Sequence, residues 1–216
     1  MAVLKGAFIN FGAGLLGALP NIVVFQFNPE RISRTPKTVQ PPPPNVGAGQ
    51  ANAQQVPGEP TESLSFTLKI DASDQLAQAN PIAASSGVLP TICALELLMV
   101  PKSSLTIDLT ALAGGSAPSQ TPPTKLPLVL FLWGPYRIVP VRISSLSISE
   151  TEYDQLLNPI RAEIVVNLEI LTPSQLADEP IGRGAYTYSE SVKEVMAALN
   201  LANAAQIGVS ASLSFS

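Results

Sequence analysis

The chain predicts a mainly β domain with minor α content: an antiparallel β-barrel or sandwich carrying a buried helix and a C-terminal helix. Three observations predict it. Residues 63–70 alternate, with Leu64, Phe66, Leu68 and Ile70 on one face and Ser65, Thr67 and Lys69 on the other, the period of a half-buried strand. Ile160, Ala162, Ile164, Val166, Leu168 and Ile170 repeat that period opposite Arg161, Glu163, Asn167 and Glu169. Between them Val139, Val141 and Ile143 hold odd positions before the apolar face moves to Leu146 and Ile148. That change of parity predicts one extra residue near Ser144-Ser145, the mark of a β-bulge.

The remaining elements follow in chain order. Residues 7–25 are largely apolar behind Lys5, but Asn10, Pro20 and Asn21 interrupt them and no small-residue cleavage site is present. They do not fit a signal peptide, and synthesis in the cytoplasm is expected. Residues 22–27 are β-branched and aromatic, a strand signal that ends at the turn pair Asn28-Pro29. Residues 34–61 hold Pro36, Pro41 to Pro44, Pro57 and Pro60 among Gly, Gln, Asn and Ala. Such a stretch has too little apolar area to offset its ordering entropy and predicts an extended arm. Residues 71–86 predict a loop. Across 91–100, Ile92, Leu95, Leu98 and Met99 recur at helical spacing behind Pro90 and ahead of Pro101, which predicts a buried helix with Cys93 inside it. Residues 113–125 are a second Gly/Ser/Pro-rich break.

Residues 128–133 predict a strand, broken by a Gly134-Pro135 turn, and residues 151–159 close the next hairpin, so 126–171 reads as an antiparallel meander. Past Pro173 and Pro180, the Gly182-Arg183-Gly184 loop leads to a C-terminal helix with an apolar stripe of Val192, Val195, Met196 and Leu199 and a capping box at Ser191 and Glu194. The tail from Gly208 is small and polar. Residues 1–172 thus form one β domain bearing the 34–61 arm, and 173–216 a linker, helix and tail.

Composition limits the chemistry. The 216 residues are 46% hydrophobic and only 13% charged, about half the usual charged fraction, so much of the surface is expected to be covered by partners, most simply further copies. A net charge of -4 with no Lys/Arg cluster argues against nucleic acid. There is no histidine and a single cysteine, which removes His-dependent catalysis, most zinc sites and any intrachain disulfide. Glu150, Glu152 and Asp154 fit a solvated hairpin end better than a paired-carboxylate site, and Asp71 with Asp74 lacks the other ligands of a calcium loop. The pairs Gly12/Gly14, Gly47/Gly49 and Gly182/Gly184 complete no nucleotide-binding pattern. No enzyme, cofactor or metal is expected. Trp133, Arg137 and Arg142 are interface candidates on residue type, with a plain core role for Trp133 equally open.

Three stretches are familiar in their order: Val23 to Arg34, which holds Phe25-Gln26-Phe27-Asn28-Pro29-Glu30, then Leu130 to Val141, which holds Phe131-Leu132-Trp133-Gly134, then, after Thr151-Glu152-Tyr153-Asp154, Asn158-Pro159-Ile160-Arg161-Ala162. The order resembles the tube-type baseplate adaptors of extracellular contractile injection systems, the phage-tail-like machines. The resemblance implies a tail-tube type of β fold and a hexameric ring between the spike hub and the inner tube, where it would template tube assembly. Implied partners are further copies, the inner tube protein, the spike or hub protein and other baseplate proteins, with no nucleic acid and no membrane insertion. Implied interface residues are Asn28, Pro29, Arg31, Trp133, Gly134, Arg137, Asn158 and Arg161. Many such adaptors end in a LysM module, which is not found after residue 172. A ligand- or carbohydrate-binding β-sandwich is the alternative, thinly supported by one Trp and four Tyr.

Overall fold

Alternation dictates which side chains turn inward, and the strands follow it. The computed structural model describes residues 3–11, 21–39, 58–101 and 126–206, with side chains to residue 203. Most of the arm (40–57), the 113–125 break, the tail from Gly208 and the pairs Gly12/Gly14 and Gly47/Gly49 lie outside the described residues. Strands β1 (Ala7–Phe11), β2 (Asn21–Val24), β3 (Ile32–Lys37), β4 (Thr61–Asp71), β5 (Leu128–Leu132), β6 (Ile138–Tyr153) and β7 (Pro159–Ile170) form one sheet in the order β2-β1-β5-β6-β7-β4-β3, and every pairing is antiparallel. Helices α1 (Ser73–Ala77), α2 (Pro81–Ser86) and α3 (Leu89–Glu96) separate β4 from β5, and α4 (Pro180–Gln206) follows a 3-10 turn at Pro173–Leu176.

The sheet is rolled. Phe66 of β4 and Phe131 of β5 are separated in the sheet by β6 and β7, yet their ring centroids lie 5.4 Å apart. Phe8 joins them at 5.7 Å from Phe131, and Phe25, just past β2, at 5.2 Å from Phe8. Such aromatic pairs add about 0.5–1.5 kcal/mol each beyond the area they bury. The roll is clasped by Gln26: its Nε2 donates to the Asp71 carbonyl (2.6 Å) and its Oε1 accepts from the Asp71 N–H (2.8 Å). One amide side chain thereby imitates a strand pairing between the end of β2 and the end of β4. Val88, Ile92, Leu95 and Leu98 fill the enclosed core from the helical side.

The bulge stands where the parity change places it: Ile143 pairs with Leu168 and Ser145 with Asn167, leaving Ser144 unpaired. Beyond it Leu146 and Ile148 pack against the core, half-buried.

Several expectations are corrected. Residues 7–11 form a strand of their own, and β2 stops at Val24, so the strand expected over 22–27 is shorter. Residues 34–37 of the expected arm belong to β3. Its Pro36 is tolerated because β3 is an edge strand paired only with β4. The loop expected over 71–86 contains α1 and α2, the latter capped by Asn80, whose Oδ1 accepts from Ile82 (2.9 Å) and Ala83 (3.3 Å). Cys93 is exposed because it lies on the face of α3 opposite Ile92 and Leu95. The Gly182-Arg183-Gly184 loop is helix: α4 begins at Pro180, and Ser191 donates back to the Thr187 carbonyl (3.0 Å) instead of capping. Gly182 is where α4 presses on the outer face of β5; a Cβ there would meet Leu176 at 2.7 Å and Leu128 at 3.1 Å.

Candidate interface

The first motif builds a turn, and its polar atoms are used to hold it. Asn28 Oδ1 accepts from the Gly6 N–H (2.9 Å) and its Nδ2 donates to the Leu4 carbonyl (2.8 Å), fixing the approach to β1. Pro29 and Arg31 extend the turn along an open groove of about 1160 Å³, which also takes in Gln26, Asp71 and Arg161. Arg161 organises the far end of the sheet. Its Nε donates to Asp71 Oδ2 (2.7 Å), one Nη to Glu152 Oε1 (2.6 Å) and the other to the Ser73 hydroxyl (3.4 Å). The bond to Asp71 raises the Arg161 pKa above the ordinary arginine value, with the Asp71 and Glu152 charges adding to it. Partial burial pushes the Asp71 carboxyl upward, but the Ser73 hydroxyl, the Ser73 N–H and Arg161 outweigh it and hold the group low.

Asn158 lies in the β6–β7 turn. Asp154 Oδ1 accepts from the N–H groups of Leu156 (2.7 Å) and Asn158 (2.8 Å), and Oδ2 accepts from Asn158 Nδ2 (2.9 Å). Those bonds, the Asn158 side chain first, depress the Asp154 pKa. The same Nδ2 donates to the Ser85 carbonyl at 3.2 Å, tying the turn to α2. A turn held this firmly presents Leu156 and Leu157 to solvent at 76% and 78% exposure, with Tyr153 at 52%. Leu157 sits at φ 64°, a left-handed conformation that costs a leucine roughly 1–2 kcal/mol.

At the opposite end of β6, Trp133 stacks on Phe131 with centroids 6.2 Å apart and 13° between planes, a half-buried extension of the aromatic core. Gly134 makes the turn that follows, at φ 70°. Tyr188 of α4 donates to the Pro135 carbonyl (2.8 Å), so the helix and the turn are joined. Between them lies a pocket of about 250 Å³ whose wall includes Arg34, Glu62, Tyr136, Arg137, Lys193 and Met196. Glu62, 11% exposed, takes the Arg34 guanidinium at 2.5 Å and Lys193 at 3.7 Å, while Lys193 is shared with Glu190 at 2.7 Å. Arg137 has no side-chain ion pair or hydrogen bond among the described residues. Burial and the neighbouring Arg34 charge depress its pKa despite Glu62.

The eight residues picked from sequence therefore divide. Asn28, Pro29, Arg31 and Arg161 meet along one groove, Asn158 stands in the hairpin tip, and Trp133, Gly134 and Arg137 lie at the opposite end of β6. Asn28, Asn158 and Arg161 are anchoring residues within the fold, and the aromatic core accounts for Trp133. Reasoning from sequence misses Leu156, Leu157, Tyr136, Glu62 and Lys193. A pair of adjacent leucines in a polar turn is the one local signal that could have found any of them.

Exposed apolar side chains continue elsewhere. Val195, Met196 and Leu199, three of the four residues of the expected helix stripe, are exposed, as are Ile22 and Val24 of the edge strand β2. Among the described residues no helix is long and apolar enough to cross a membrane. No family model matches the chain, and no curated protein does.

Proposed function

We propose that the chain is a structural adaptor of a contractile injection system, assembling as a ring that joins the spike hub to the inner tube and templates tube growth. The observation that carries this reading is the unpartnered edge and apolar surface of the fold. Strands β2 and β3 end the sheet without a further neighbour among the described residues, and Ile22 and Val24 stand 52% and 55% exposed on β2. An exposed apolar edge is a liability for a lone domain and an asset for a subunit that pairs with its neighbour. The 13% charged content supports the same reading, and the order of the three motifs supports the particular machine. Partners in this reading are further copies in a hexamer, the inner tube protein, the spike or hub protein and other baseplate proteins. Its location is then that of the assembled particle.

The alternative, a ligand-binding module, draws on the large groove. Several of its polar groups are committed internally: Gln26 and Arg161 to Asp71, and Asn28 to Leu4 and Gly6. Mass photometry of the purified protein, with electron microscopy of any closed assemblies, tests the adaptor reading. Rings that seed polymerisation of the tube protein are expected. A monomer at every concentration would overturn it, as would complete sheathed particles formed without this gene product.

A further inference from the structure

The two ends of β6 carry opposite chemistry. Sixteen residues separate Ile138 from Tyr153 inclusively, a contour of roughly 50 Å at strand rise. Near its start is the pocket, whose wall carries three cations, Arg34, Arg137 and Lys193, against the single carboxylate of Glu62, which is ion-paired to Arg34 and Lys193, while Tyr136, Val192 and Met196 give apolar wall. Near its end are Leu156, Leu157 and Tyr153, all exposed, and Glu150, also exposed, whose carbonyl accepts from the Tyr153 hydroxyl at 3.4 Å. Glu152 is spent on Arg161, but the Glu150 carboxylate has no ion pair or hydrogen bond among the described residues. The tip is rigid, because Asp154 and Asn158 lock it, so presenting two leucines costs little further ordering on contact.

We propose that the hairpin tip of one copy docks on the α4-lined pocket of a second copy, placing Glu150 against Arg137 and the two leucines against Met196 and Tyr136. Charge complementarity selects the occupant: the pocket wall holds more cations than carboxylates, and the other end offers a carboxylate, unpaired among the described residues, near an apolar projection. The α4 stripe, exposed from Val195 to Leu199, extends the receiving surface beyond the pocket. Because the two patches are different surfaces of the same chain, the contact is head-to-tail and repeats from copy to copy, closing into a ring or running on as a stack. The proposal rests on the assembly reading above for taking a second copy as the partner.

Sedimentation velocity over a concentration series tests it on the full chain and on Glu150→Arg, Arg137→Glu and the double variant, with circular dichroism to verify folding. Each single reversal is expected to weaken self-association at least about tenfold, and the double variant to recover most of it. If Arg137→Glu does not fold, Lys193→Glu replaces it against the same Glu150→Arg partner. A wild-type protein that stays monomeric overturns this contact and the assembly reading together. An oligomer that is indifferent to both single reversals, or singles that dissociate without recovery in the double, overturns the contact and leaves the assembly reading standing.

Discussion

Replacing Gly87 by alanine tests how the helical segment is bolted to the rolled sheet. Gly87 closes α2 at φ 55° and ψ −129°, a region essentially reserved for glycine. A Cβ there would lie 2.1 Å from the Pro159 carbonyl oxygen and 3.0 Å from its carbon, more than about 1 Å inside ordinary contact. That same oxygen accepts the Val88 N–H at 2.9 Å, so relieving the clash pulls α3 away from the start of β7. The backbone conformation costs roughly 1–3 kcal/mol, the strained hydrogen bond about 1 kcal/mol, and repacking about 1 kcal/mol or more. The sum is about 3–5 kcal/mol, a large share of a typical domain's stability. At about 2–4 °C per kcal/mol for a chain of this size, Tm should fall by roughly 6–20 °C. Gly134→Ala is the control. It has a similar positive φ of 70° but nothing within 4 Å of the new Cβ, so only the conformational part, about 1–2 kcal/mol, applies. Scanning calorimetry of both variants separates the two contributions. Equal losses in the two would refute the clash with Pro159 as the dominant cause.

Two further outcomes follow from the charged anchors. Asp154 has a depressed folded-state pKa, so the stability it lends is present above the unfolded value, near 3.8, and is lost as pH falls through the lower folded value. Thermal melts from pH 6 to pH 2 should therefore show a steeper acid loss in the wild type than in Asp154→Asn, and parallel curves would contradict the assignment. Arg161→Met removes bonds to Asp71, Glu152 and Ser73 at once. It should lower Tm by a few degrees at low salt and by less in high salt, because these partly exposed pairs are screened; a salt-independent change would point to packing instead.

The long strands were legible because their alternation reports directly on the two environments they separate. Strands β4, β6 and β7, and the Ser144 bulge, needed nothing beyond residue order. β1 was not, since three of its five positions are buried and the other two half-buried, and a strand covered on both faces loses its period. Helix α4 was misread at its start because Gly182 and Gly184 signal a break locally. The close seat on Leu128 and Leu176 requires a glycine at 182, and tertiary packing overrides propensity there. The short α2 did carry a signal, Asn80 ahead of Pro81. The pocket around Arg137 was beyond reach, because its walls come from β3, β4, β7, β6, the turn before β6 and α4, segments distant in sequence that strand pairing and the seat of α4 bring together. The hairpin tip lacked any period, and its exposure depends on the lock made by Asp154.

The Gln26 clasp sets how the molecule opens. Elsewhere each strand is zipped to its neighbour by several backbone bonds, but here two bonds from one side chain hold the end of β2 against the end of β4. A fluctuation that rotates a single amide releases them without disturbing any ladder. The aromatic cluster beneath resists that release only through contact, which tolerates a small gap better than a hydrogen-bonded register does. Among the described residues the fold is therefore a continuous band of strand pairings whose closure is hydrogen-bonded by one side chain. A latch on one residue is also adjustable by a single substitution, in a fold whose other seams would each need many.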